Sequence, residues 1–170
     1  VVGLLDADRV ERAFQFLVPE NAVANAAFTL TASARDEAGH QGTATRTLYV
    51  ADIEPPEVVD VDPEDNGLYV LLYQNALVTF SEPMATSTIN ATNITLWVDG
   101  GDQVSASVGL SQNGFVATIN PDSDLAYGTT YEIQVSTGVT DLAGNPMVTD
   151  FASTFTTLPP DLAGPQLVSI

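Results

Sequence analysis

Cysteine is absent from the 170 residues, which excludes disulfides, thiolate zinc sites and cysteine nucleophiles together. Lysine is absent too. Schiff-base chemistry therefore goes, and so does a lysine-to-asparagine isopeptide brace, because its amine is missing. The single histidine, His40, cannot build a histidine-rich metal site. No serine sits on a nucleophile elbow, so a His-dependent triad has no footing and the chain reads as non-catalytic. No apolar run approaches the roughly 18 residues that would span a bilayer, and no membrane insertion is expected in this segment. Val1-Val2-Gly3-Leu4-Leu5 runs directly into Asp6 and Asp8 without a basic region or small-residue cleavage site, so no secretory signal is read there.

What the chain does have is acid: 22 acidic residues against 4 basic ones, a net charge of -18. Such a field repels phosphate backbones and anionic lipid, so no nucleic-acid partner is expected, and it attracts divalent cations. Calcium becomes a candidate ligand. The same charge also serves solubility, or a salty habitat in which repulsion is screened.

Period-two alternation recurs wherever threonine, valine and aromatics concentrate, so the protein is expected to be all-β. Phe28, Leu30, Ala32 and Ala34 share one face of a strand and Thr29, Thr31, Ser33 and Arg35 the other, so a half-buried strand is expected. Asp36-Glu37-Ala38-Gly39-His40 then makes a glycine-containing turn into a second strand from Thr43 to Val50. Ala51-Asp52-Ile53-Glu54-Pro55-Pro56 marks a boundary, because consecutive prolines cannot donate to a ladder and hold an extended connection. Beyond it come Val58 to Val61, then Ala76, Val78 and Phe80, then Ile94, Leu96 and Val98. Val104, Ala106 and Val108 follow, then Phe115, Ala117 and Ile119, then Tyr131, Ile133 and Val135, and last Phe151, Ser153 and Phe155. Leu158-Pro159-Pro160 repeats the double-proline punctuation. Seven strands between two proline linkers fit an immunoglobulin-like sandwich. The reading is tandem immunoglobulin-like β-sandwiches, one complete and one partial. Residues 1–52 would be the C-terminal part of one, 53–158 the complete one, and 159–170 a linker with the first strand of another.

Residues 55–157 resemble the bacterial Ig-like domain of surface-layer and other large secreted proteins. The resemblance rests on Pro56-Glu57-Val58-Val59, Val78-Thr79-Phe80-Ser81-Glu82-Pro83-Met84, Leu125-Ala126-Tyr127-Gly128-Thr129-Thr130-Tyr131 and Asp141-Leu142-Ala143-Gly144-Asn145-Pro146, in that order. Residues 1–51 resemble the later part of another such repeat, with His40 where the family's turn has asparagine. The resemblance implies a structural module, a stalk, layer or filament component, at the cell surface or outside the cell. Its expected partners are neighbouring Ig-like domains of the same chain or of like chains. Leu167 to Ile170 could complement the incomplete first domain of a neighbouring chain as a donated strand.

In a sandwich of this topology the start of the first strand and the loops after the second and sixth strands lie at one end. Asp52 and Glu54 in the connection, Glu82, and Asp141 with Asn145 would converge there. Calcium takes 6 to 8 oxygen ligands at about 2.3–2.6 Å, and this set supplies carboxylates and an amide. The plainer reading is that Asp141 and Asn145 make the turn, with Gly144 supplying positive φ. A second acidic run, Asp60, Asp62, Glu64 and Asp65, is interrupted by Pro63 and lacks the twelfth-position glutamate of an EF-hand, so it reads as a solvated loop. Trp97 is out of phase with the inward residues and would face outward. It suits a domain interface or, in the rival reading of an adhesin or glycan-binding module, sugar stacking. Asn90-Ala91-Thr92 and Asn93-Ile94-Thr95 fit the glycosylation sequon, a short motif that carries little alone.

Overall fold

The computed structural model describes residues Ala26–Asp161. The readings made for residues 1–25 and for Leu162–Ile170, the following strand included, lie outside the described residues. The chain divides into two compact units, Val1–Asp52 and Ile53–Ile170.

The described part of the first unit holds two strands, β1 (Ala27–Arg35) and β2 (Gln41–Tyr49), paired antiparallel from Ala27↔Tyr49 to Arg35↔Gln41. Threonine-rich alternation makes both strands, and a tight turn at Asp36 to His40 joins them. The half-buried face expected of β1 is not found: none of the unit's described residues is buried, and Phe28 and Leu30 are 38% and 42% exposed.

The second unit is a sandwich of two four-stranded sheets. One has the order β3 (Val58–Asp62), β5 (Ala76–Phe80), β8 (Val116–Pro121), β7 (Ala106–Leu110). The other runs β4 (Gly67–Val70), β10 (Phe151–Thr157), β9 (Thr130–Val135), β6 (Ile94–Val98). The inward residues are those the alternation selects: Val78, Phe80, Ile94, Leu96, Ala117, Ile119, Ile133, Val135 and Phe155 are all buried. Val104, Ala106 and Val108 pack half-buried against this core near the edge strand β7. Tyr131 stacks on Phe155 with ring centroids 5.7 Å apart, and its hydroxyl accepts a 2.8 Å bond from the Ala126 amide, so a buried polar group is satisfied.

Among the described residues the sandwich has eight strands where the sequence predicts seven. The additional one, β4, sits just after the turn-rich acidic stretch and pairs in parallel with β10, Gly67 opposite Phe155 and Val70 opposite Thr157. Its faces do not alternate: Leu68 and Tyr69 are both exposed, and Tyr69 has a left-handed φ of 61°. A strand held by ladder bonds and two inward residues leaves no periodicity to read. Asp65 helps to place it, because the Thr154 amide and the Ser153 hydroxyl both donate to its Oδ1 at 3.0 and 3.3 Å.

Candidate metal centre

The loop that follows β9 folds on a carboxylate. Asp141 Oδ1 accepts from the amides of Gly144 and Asn145 at 2.6 and 2.8 Å, and Oδ2 accepts from Asn145 Nδ2 at 2.7 Å. Gly144 supplies the positive φ of 94° that closes the turn. Asp141 is only 1% exposed. Burial pushes its carboxyl up, but the bonds from the Asn145 side chain and from the backbone amides outweigh it and hold the group below its ordinary value. The turn expected of Asp141 and Asn145 is therefore present in atomic detail.

The loop after β5 meets this turn at one end of the sandwich. Met84 bridges Asp141, and the Ala85 amide donates to the Thr140 carbonyl at 2.9 Å. Glu82 precedes Met84 by two residues and so arrives beside the buried carboxylate. Asp52, in the connecting segment, brings a third. One carboxylate oxygen from each of Asp52, Glu82 and Asp141 lies within 4.8 Å of the others. Of the five residues predicted, three thus supply converging carboxylates and Asn145 orients one of them. Glu54 is exposed and is not in the group. One bond falls on Asp141 Oδ2, which leaves that oxygen a second lone-pair direction for a cation. The donors are hard oxygens, the chemistry that suits calcium or magnesium rather than zinc or copper.

A profile of the family described as "Bacterial Ig-like domain" matches residues 52–157, more than half the chain. The chain belongs to the bacterial Ig-like domain family. Asp52 is the first matched residue, so the three carboxylates fall within the matched domain. Among solved structures, the crystal structure of the S-layer protein SbsC is 27% identical, with 62% of this chain and 14% of that one covered and a TM-score of 0.48. PcoC, a methionine-rich copper resistance protein from Escherichia coli, is 18% identical over 60% of this chain and 97% of that one, with a TM-score of 0.51. CopC from Methylosinus trichosporium OB3b is 15% identical over 64% and 99%, with a TM-score of 0.49. The chain thus spans about one seventh of the SbsC chain. PcoC is alike in fold. The two methionines here, Met84 and Met147, are buried in the core. No curated protein matches the chain.

Other residues of the Ig-like domain take places that spacing alone does not reveal. Asn93, read as part of a sequon, donates its amide to the carbonyls of Thr88 and Gly138 at 2.8 and 3.2 Å, and so braces the loop that leads to Asp141. The signal for it is Gly138, where a Cβ would fall 2.5 Å from Asn93 Oδ1. Asn90 caps the turn that enters β6 through Oδ1, which accepts from the Thr92 and Asn93 amides. Trp97 lies on the outer face of β6 opposite Glu132, half-buried, with Nε1 donating to Thr95 Oγ1 at 3.0 Å. No described helix is long and apolar enough to cross a membrane.

Proposed function

We propose that this bacterial Ig-like domain is a non-catalytic structural module of a large cell-surface or secreted protein, a stalk, layer or filament component stiffened by calcium. The observation that carries the calcium reading is the convergence of Asp52, Glu82 and Asp141, which come from three separate stretches of sequence. Three carboxylate oxygens this close, one of them on a buried residue, are the hard donors that a divalent cation takes. A cation there ties Asp52, the first residue of the matched domain, to both loops. Family membership supports the module role, and the partners are neighbouring Ig-like domains of the same or like chains.

The test is thermal unfolding in calcium and in chelator. At a calcium concentration about a hundredfold above Kd the stabilisation is about 2.7 kcal/mol, a rise on the order of 10 °C for a domain of this size. Glu82→Gln, which leaves the Asp141 turn untouched, removes most of the rise. Superimposable melting curves in the two buffers defeat the calcium reading. The module role is tested separately, by locating the intact parent protein in cell-surface and secreted fractions; a cytoplasmic location defeats it.

A further inference from the structure

Beyond the structural role, we propose that the outer face of the β4-β10-β9-β6 sheet carries a binding groove for a neutral oligosaccharide chain. A groove of about 590 Å³ runs across β6, β9 and β10 and is lined by Thr95, Trp97, Gln103, Gln134, Asp150 and Ala152 among others. That volume is in the range of small-molecule sites, roughly 300–1,000 Å³. Its floor follows from strand register. Thr95 pairs with Gln134 and Gln134 with Ala152, so one row crosses three strands and drops to the smallest side chain at β10. Trp97 stands next to this row on β6, and Gln103, bridged to Trp97, walls one side.

Three features select the ligand. Trp97 is the only tryptophan in the chain, and its bond to Thr95 Oγ1 fixes the ring, a flat apolar surface of the kind that stacks on the C–H face of a sugar ring. The exposed side-chain amides of Gln103 and Gln134 make no hydrogen bond to any described residue. They line the same groove as the ring and offer both donors and acceptors, as hydroxyl groups require. Among the described residues Asp150 is the only charged one lining the groove, and the chain as a whole carries -18, so sulfated or uronic chains are repelled and neutral ones are not.

The single tryptophan makes the test direct, because its emission reports on this groove alone. The full chain is titrated with cellohexaose, chitohexaose and maltohexaose, and with a chondroitin sulfate hexasaccharide as the anionic counterpart. The expected result is a saturable change in emission with at least one neutral hexasaccharide and none with the sulfated one. Gln134→Ala and Gln103→Ala, both at exposed positions, each weaken binding about tenfold with the melting temperature held within about 2 °C. Trp97→Phe, followed by calorimetry, weakens it further. No saturable change with any neutral probe at millimolar concentration overturns the proposal. A response to the sulfated chain alone also overturns it, as does neutral binding that survives both glutamine substitutions. None of these outcomes bears on the calcium site, whose readout is thermal.

Discussion

The two aspartate turns of this chain are nearly the same object in two settings. At Asp36-Glu37-Ala38-Gly39-His40 the Asp36 Oδ1 accepts from the His40 amide at 2.8 Å, its Oδ2 meets His40 Nδ1 at 2.9 Å, and Gly39 has a φ of 91°. At Asp141-Leu142-Ala143-Gly144-Asn145 the corresponding bonds are 2.8 and 2.7 Å, and Gly144 has a φ of 94°. Both carboxyls are held below their ordinary value, Asp36 chiefly by the His40 side chain and Asp141 by its bonds against an opposing burial effect. Surroundings make the difference. The His40 side chain is 84% exposed and the hairpin turn faces water, whereas Asp141 is buried beside Glu82 and Asp52. Local chemistry makes a turn; only burial among other carboxylates makes it a candidate site.

The sharpest way to break the parallel is Asp141→Ala against Asp36→Ala. The first strips three bonds from a buried turn and is expected to cost about 3 kcal/mol or more in denaturant unfolding. The second leaves the sandwich transition where it was. Acid comes next. Because the folded-state carboxyl of Asp141 lies below its unfolded value, near 3.9, its contribution is complete above that value and is lost as pH falls through the lowered one. Asp141→Asn therefore flattens the acid limb of the stability curve, measured by melting across pH. Gly144→Ala and Gly39→Ala probe the shared backbone. Each forces a left-handed residue and costs about 1 kcal/mol, and Gly144→Ala lowers the sandwich melting point without steric conflict, since open space surrounds a Cβ there. Smallest of all is His40→Asn, which gives the hairpin the sandwich's own pairing. The carboxyl of Asp36, followed by NMR titration, stays below the ordinary range.

Much of the sandwich was legible because its strands bury one face. Ala76, Val78 and Phe80, or Tyr131, Ile133 and Val135, alternate cleanly, and the structure buries all six. β4 was not legible, since a short parallel strand with exposed Leu68 and Tyr69 has no such pattern. The same limit applies to Asp65, a loop residue by sequence whose partners lie on β10, 88 and 89 positions away. Topology was enough to bring Glu82 and Asp141 together, because strand count parity places their loops at one end. It could not choose between Asp52 and Glu54, two residues apart on an extended segment. Asn93 was hidden for a related reason: its bonds go to Thr88 and Gly138, and a sequon read along the chain says nothing about a partner 45 residues on.

The placement of β3 and β10 also determines how the sandwich carries load. Val58 pairs with Phe80 and Phe151 with Val135, at the end where the loops after β5 and β9 meet, so both strands start there and run toward the opposite end. Tension applied between Ile53 and Leu158 therefore pulls along the strands, and the ladder bonds resist together in shear instead of opening one at a time. β10 is gripped on both sides, by β4 and β9, while β3 is an edge strand with an irregularity between Val58 and Asp60. Under force, β3 is the strand that yields first, and a cation at Asp52 would take up load ahead of it.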